Sequence, residues 1–300
     1  MAVKDGRSIF AFDAIGTRWE VETGGPLDAC LRREIRDRIE RFDAVYSRFR
    51  PDSLVSRVAR AATGGRFDFP DDSAVLFDLY DFLFTVTDGA VDPLVGRDLE
   101  LLGYDAAYSL SPASKETREQ EYAAGRPSWD HDVERDGPTL VTRRPLVIDV
   151  GAAGKGYLVD IVTGMLLDAG VSSTVVDASG DLKIAGPSEL AVGLEHPRDP
   201  RRVVGVAHLR GAALCASAVT KRAWGEGLHH VIDGRTGEST REVLATWTVA
   251  DRAAVADGLA TALFFVSPHR LTEVFEFTWV RMLADQRCEV SSNFVGELFT

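Results

Sequence analysis

Apolar residues recur along this chain in two rhythms, one matching helices and the other half-buried strands. Between residues 28 and 49, Leu31, Ile35, Ile39, Phe42, Val45, Tyr46 and Phe49 fall on one face while arginines and glutamates fill the other. That spacing predicts a long amphipathic helix. It ends at Arg50-Pro51-Asp52-Ser53, a turn whose Ser53 is placed to cap a short helix after it. A second amphipathic helix is predicted over 72–87, stopped by Asp88-Gly89. Trp19, Val21 and Thr23 alternate with Arg18, Glu20 and Glu22, so 17–23 reads as a strand, preceded by another at 8–14 and broken from it at Ile15-Gly16.

The segment 146–160, LVIDVGAAGKGYLVD, organises the rest of the chain. Its apolar opening predicts a strand, its small residues a turn, and Leu158, Ile161, Val162, Met165 and Leu166 a helix that closes at Gly170. Such a turn lets backbone approach a ligand and aims helix N–H groups at an anion. Lys155 stands at the helix start, where it opposes the macrodipole. A cation there points to an anionic ligand, and the plainer alternative is a solvated surface lysine.

Short strands follow at 173–176, 190–194, 203–209 and 214–218, a spacing that suggests antiparallel meandering. Residues 251–266 form a nearly all-apolar helix, and 279–299 holds two further strand candidates. The stretch 106–137 is polar and interrupted by Pro112 and Pro127, which predicts a surface excursion with one short helix near 117–123. Helices and strands mix without regular βαβ alternation, so the fold class is α+β, mixed or antiparallel sheets packed with helices.

Composition narrows the functions. Three hundred residues with 45% hydrophobic content bury a large core, as one domain or two intimately packed lobes. A net charge of −12 argues against nucleic acid as a partner. No apolar run approaches a membrane span. The start, 1–7, is polar with no signal-peptide hydrophobic region after it, which predicts a cytoplasmic chain as given, or an exported one if a signal was trimmed. Cys30, Cys215 and Cys288 fit neither a zinc pattern nor a disulfide framework and read as reduced, partly buried thiols.

Several short constellations could carry chemistry. Asp257 and Thr261 lie one helical turn apart, and a carboxylate and hydroxyl so placed can grip a hard cation such as magnesium. The alternative is a threonine bonded back to its own helix and a structural aspartate. His229-His230 precede an apolar pair and the turn Asp233-Gly234-Arg235-Thr236-Gly237, offering a proton acceptor near neutral pH or a structural imidazole. Asp88-Gly89-Ala90-Val91-Asp92-Pro93 and Ser179-Gly180-Asp181 read equally well as tight turns.

Together these stretches resemble the ApbE family of FAD:protein FMN transferases. The resemblance rests on IGTRW (15–19), YSRFRPDSLVS (46–56), TDGAVDPLVG (87–96), IDVGAAGKGYLVD (148–160), ASGDLKIAG (178–186), HHVIDGRTG (229–237) and ADGLATALF (256–264), in family order. It implies one flavin transferase domain over 1–300, of two lobes with FAD between them. It further implies magnesium-dependent transfer of FMN from FAD to a Thr or Ser hydroxyl of an acceptor flavoprotein, releasing AMP. By match, FAD contacts fall on Ile15, Phe49, Ala90, Val91, Asp92, Asp149, Lys155 and Val231. Metal ligation falls on Asp257, Thr261 and the carbonyl of Ala152, and the general base on His230. The chain departs from the family pattern at Ile15 (usually Met), Gly234 (often Pro) and Cys215-Ala216-Ser217-Ala218 (usually Ala-Thr-Ser-Gly). The competing readings are a pyrophosphatase that hydrolyses FAD to FMN and AMP, and a non-catalytic FAD-binding protein. As base, an unperturbed imidazole would make activity fall as pH drops through about 6.5.

Overall fold

The computed structural model describes residues 2–4, 7–123 and 125–299. Met1, Asp5, Gly6, Ala124 and Thr300 lie outside the described residues, so the polar start and the 106–137 excursion are followed without them. The chain opens with β1 (Ala2–Lys4), β2 (Arg7–Ala14), β3 (Thr17–Thr23), α1 (Ala29–Tyr46) and α2 (Leu54–Arg60). Next come β4 (Gly65–Asp68), α3 (Ser73–Val86), α4 (Gly96–Leu101), α5 (Lys115–Glu121), α6 (Trp129–Asp132), β5 (Val133–Asp136) and β6 (Thr139–Thr142). The second half holds α7 (Gly154–Asp168), β7 (Thr174–Asp177), β8 (Asp181–Ala185), β9 (Glu189–His196), β10 (Asp199–Arg210) and β11 (Ala213–Ala218). Four two-residue strands, β12 (Ala223–Trp224), β13 (Leu228–His229), β14 (Ile232–Asp233) and β15 (Glu238–Ser239), precede β16 (Val243–Ala250). The chain closes with α8 (Ala253–Ala262), α9 (Pro268–Thr272), β17 (Thr278–Leu283), β18 (Cys288–Val290) and β19 (Gly296–Leu298). Every described ladder is antiparallel, and the α+β class holds. No described helix is long and apolar enough to cross a membrane.

The chain divides into two compact units. The first comprises Met1–Arg41, Ala153–Lys221 and Glu242–Thr300. Its sheet has the order β1-β2-β3-β7-β8-β11-β16-β17-β18, and β19-β10-β9 form a smaller sheet. In this unit sequence reading missed β8 and the longer β16. Its Thr246 and Thr248 alternate with Trp247 and resemble a half-exposed pattern, yet all three are buried. Trp247 joins an apolar cluster with Leu194, Val204 and Leu209 of β9 and β10. The threonines turn the other way, donating to Ala260 O (2.7 Å) and Ala256 O (2.5 Å) of α8. With both faces covered, hydrophobic alternation carries little signal.

The second unit comprises Phe42–Ala152 and Arg222–Arg241. Ser53 caps α2 as predicted, its side chain accepting from Ser56 N. α1 stops at Tyr46, leaving Phe49 outside the helix expected to reach it. The strand expected at 146–148 is absent: Leu146 and Ile148 are buried, but the Asp149 N–H bonds Pro93 O (2.7 Å) instead of a strand partner. β4, β6 and β5, each four residues long, form a small sheet too short for periodicity to reveal. Most of 105–127 is exposed, and the chain then turns inward at buried Trp129, whose Nε1 donates to Asp81 (2.7 Å).

Within the first unit, α7 and α8 pack on each other and on the central strands β8, β11 and β16. Their N-terminal turns meet, and each helix supplies the other with an acceptor. Asp160 of α7 takes the N–H groups of Ala253 and Ala254, both at 3.0 Å, capping α8. Asp257 of α8 takes the Gly156 N–H of α7 at 2.9 Å. Lys183 of β8 closes the set on Asp160 at 2.7 Å. Approach this close requires glycine at 156, where a Cβ would lie 2.2 Å from Ala253 O and 2.8 Å from Asp257 Cβ.

Two substitutions in one helix test this packing. Gly156→Ala should destabilise the protein by about 2 kcal/mol or more, as overpacking against backbone does. Gly164→Ala, whose added Cβ would meet nothing within 4 Å, should instead stabilise it by roughly 0.5–1 kcal/mol. Urea unfolding midpoints of the two variants give the comparison.

Candidate active site

In the first unit, the small-residue turn delivers the chain into α7, and the hairpin joining β7 to β8 delivers Asp181. That hairpin turns at Ser179 (φ 59°) and Gly180 (φ 103°), with Asp177 accepting from Gly180 N at 3.2 Å. The Asp181 carboxylate is buried and lies 2.9 Å from the Lys155 ammonium. The cation at the start of α7 is therefore balanced in part by the chain's own aspartate. Lys155 remains 22% exposed at the side chain, so it is not sealed away with its partner.

Asp257 and Thr261 follow one turn apart on α8, with Asp257 buried and its Oδ2 on Gly156 N–H. Both are oxygen donors, the type that suits a hard divalent cation. Among the described residues no three His, Cys, Asp or Glu converge as a metal cluster. A cation at this pair would need water, a backbone carbonyl or substrate oxygens to complete its shell. Cys215 is buried nearby, its thiol donating to Ala253 O at 3.4 Å. Burial, helped by the negative charges of Asp181 and Asp257, pushes that thiol far above its ordinary range and leaves it inert. Cys30 and Cys288 are exposed free thiols.

Ile15 occupies the first position of the two-residue β2–β3 turn with φ 44°, followed by Gly16 at φ 74°. A β-branched residue in the left-handed region is an outlier, of the kind that gathers at functional positions.

The second unit builds a different corner. Arg48 is buried, and its Nε donates to Asp149 Oδ2 at 2.6 Å while Nη1 donates to Tyr104 O at 2.7 Å. Its Nη2 is sealed from solvent with no hydrogen-bond partner among the described residues. The guanidinium lies 4.3 Å from the Phe49 ring centre and 5.0 Å from that of Tyr104. Burial pushes the Asp149 carboxyl up, but Arg48, the Gly151 N–H (2.6 Å) and the charge of Arg222 outweigh it and hold it below its usual range. Sequence reading found Phe49 and Asp149 but assigned nothing to Arg48, which stood in a quoted motif as one arginine among several.

Residues 90–92 are packed rather than open. Ala90 O accepts from Gly234 N (2.9 Å), and Val91 N donates to Thr87 Oγ1 (3.0 Å). A Cβ at 234 would meet Gly89 O at 2.5 Å, and proline there would delete the bond to Ala90. Glycine at this departure from the family pattern thus fits the local packing. Asp92 accepts from Leu94 N (2.7 Å) and Trp129 N (3.1 Å), and burial raises its carboxyl to about 7. Ala152 is the last residue of this unit's long segment.

The paired histidines separate cleanly. His229 is structural: Nε2 donates to Thr240 O (2.7 Å) and Nδ1 accepts from Val231 N (3.3 Å). A carbonyl can only accept, so the tautomer is the neutral Nε2–H form. The half-buried His230 has Nδ1 sealed from solvent and without a partner among the described residues. Burial, then the charge of Arg222, pushes His230 down to about 3. An unperturbed imidazole titrates near about 6.5, and burial instead keeps His230 neutral throughout the ordinary pH range.

The chain matches the ApbE family over residues 15–282. It is 30% identical over 267 residues to the FAD:protein FMN transferase of Rhodobacter capsulatus, covering 84% of this chain and 50% of that protein. The chain thus spans half the length of that relative. It is 24% identical over 281 residues to the FAD:protein FMN transferase of Klebsiella pneumoniae, covering 87% and 79% respectively. Its fold superposes on the ApbE protein of Thermotoga maritima with a TM-score of 0.83 at 23% identity, covering 95% of this chain and 97% of the other.

The division of labour between the histidines has a direct consequence for stability. His229→Ala leaves the Val231 N–H and Thr240 carbonyl without partners and should cost about 1–3 kcal/mol. His230→Ala removes no hydrogen bond from Nδ1 and should cost clearly less. Guanidinium unfolding of both variants measures the difference.

Proposed function

The chain belongs to the ApbE family, and from that premise we propose that it transfers FMN from FAD to a Thr or Ser hydroxyl of an acceptor flavoprotein, releasing AMP. One observation carries the reading. The N-terminal turn of α7 is joined to α8 by the Gly156–Asp257 bond, and its Lys155 pairs with Asp181 of β8. A helix start with a lysine suits phosphate oxygens, and a carboxylate with a hydroxyl one turn away suits the cation that accompanies a diphosphate.

In this proposal Ile15, Phe49, Ala90, Val91, Asp92, Asp149, Lys155 and Val231 contact FAD. The Gly154 and Lys155 amides at the start of α7, with the Lys155 ammonium, donate to the pyrophosphate and stabilise charge that grows in the transition state, while the Gly156 amide stays on Asp257. Asp257, Thr261 and the Ala152 carbonyl would hold magnesium, which when bound neutralises the pyrophosphate and makes AMP a better leaving group. His230, neutral before the reaction, takes the proton of the acceptor hydroxyl as its oxygen attacks the FMN-side phosphorus. The new bond is a phosphoester, and the bond to the AMP phosphate breaks.

Incubation with FAD and magnesium separates the possible outcomes. Transfer predicts AMP only when acceptor is present, with an FMN-sized mass gain on one Thr or Ser of the acceptor. AMP without acceptor would make the chain a pyrophosphatase, and no AMP in either case a binding protein. His230→Ala should bind FAD normally yet lose transfer by two orders of magnitude or more, in keeping with general-base contributions of about 10²–10⁴. For the parent protein, kcat/KM reports the free enzyme, whose His230 is neutral well above about 3. The histidine limb of that profile should therefore be flat from pH 8.5 to 5.5, and a fall through 6.5 would contradict the assignment.

A further inference from the structure

The loop after α4 holds an aromatic side chain in a position that packing alone does not demand. Tyr108 is 54% exposed, yet its ring lies parallel to Phe49, centroids 5.2 Å apart and planes 7° from each other. Phe49 carries the Arg48 guanidinium at 4.3 Å, and Tyr104 meets Phe49 (5.4 Å, 73°) and Tyr108 (5.6 Å, 80°) by its edge. Tyr104 in turn stacks on Trp224 at 5.5 Å, whose Nε1 bonds Leu102 O. A continuous aromatic block therefore runs from the buried interior outward, and Tyr108 is its solvent end.

The backbone that presents Tyr108 is strained and tightly tied. Tyr108 and Leu110 both have φ 50°, a left-handed conformation unfavourable for side chains of this size. Asp105 secures the turn. Its Oδ1 accepts from Ala107 N (2.9 Å) and Ser109 N (3.1 Å), and its Oδ2 from Ser109 Oγ (2.6 Å). Tyr108 N donates to Asp105 O (3.0 Å) and Leu110 N to Gly103 O (2.8 Å). An exposed aromatic ring held rigid at a conformational cost is a prepared surface, because a mere cover could be supplied by an unstrained residue.

We propose that the outward face of Tyr108 is a stacking platform for a planar heteroaromatic ring of the flavin nucleotide, making Tyr108 a specificity-determining residue for the donor substrate. This rests on the flavin transferase reading, in which neighbouring Phe49 contacts FAD. The ring lies with its π face against the tyrosine, adding a layer to the Phe49–Tyr108 pair. The isoalloxazine and the adenine of FAD share that chemistry, and FMN and ADP serve as probes that carry one ring each.

The test is calorimetric titration of FAD, FMN and ADP into the parent protein, Tyr108→Ala and Tyr108→Phe. Base–aromatic stacking of the usual strength corresponds to a loss of about tenfold or more in FAD affinity for Tyr108→Ala. Tyr108→Phe, which keeps the ring, should stay within twofold of the parent. A matching loss for FMN alone assigns the isoalloxazine to the platform, and a loss for ADP alone assigns the adenine. If FAD affinity in Tyr108→Ala stays within twofold of the parent, the proposal is overturned, even where the unfolding midpoint drops and Tyr108 proves a structural cover for Phe49. If the parent itself binds no FAD, the transferase reading fails first and this proposal with it.

Discussion

Two helix N-termini do not sit together without a reason, because each carries unsatisfied N–H groups and the positive end of a dipole. In this chain the first turns of α7 and α8 meet, and the fold resolves the conflict with two carboxylates set crosswise. Asp160 bonds the Ala253 and Ala254 amides, and Asp257 bonds the Gly156 amide. Lys183 on Asp160 and Lys155 on Asp181 keep the surrounding acidic charge paired. The buried hydroxyls of Thr246 and Thr248 fasten α8 to β16, which fixes the helix's rotation as well as its position. The face bearing Asp257 and Thr261 therefore has little freedom. The proposed chemistry depends on that fixity, since phosphoryl transfer is catalysed almost wholly by positioning and charge.

The corner around Arg48 follows another rule. A buried guanidinium must be paired, and Asp149 and the Tyr104 carbonyl take two of its nitrogens while aromatic rings cover its face. The same requirement explains why α1 ends at Tyr46 rather than running on to Phe49: Arg48 has to leave helical geometry to reach Asp149. His230 is governed by the opposite condition, burial beside the positive Arg222, which keeps the imidazole uncharged. Bound phosphates would add negative charge and favour the protonated form, so proton uptake becomes easier once a phosphorylated ligand is present.

Much of the fold was legible from periodicity, because α1 and β3 each show an apolar face to one side and polar groups to the other. The residues of interest were legible chiefly as ordered motifs, since spacing alone read the turns at 88–92 and 179–181 as plain connections. What stayed hidden has physical causes. β16 is covered on both faces, its threonines bonding α8, so alternation gave no signal there. Residues 146–148 have strand composition but no strand to pair with. The reciprocal bonds of Asp160 and Asp257 span 93 to 101 positions, and no local pattern marks a carboxylate that caps someone else's helix. Arg48 and Asp181 were hidden likewise, each being an ordinary charged residue until its partner arrives from far along the chain.

The crosswise carboxylates hold the oxygen donors of α8 against the start of α7. Asp160 is the informative position, because it is assigned no contact with flavin or metal and instead caps α8 and pairs with Lys183. The deciding measurement is the affinity of folded Asp160→Ala for FAD with and without magnesium, set beside the parent. Magnesium should strengthen FAD binding to the parent, and this gain should shrink at least tenfold in the variant. A gain of parental size in Asp160→Ala would contradict it.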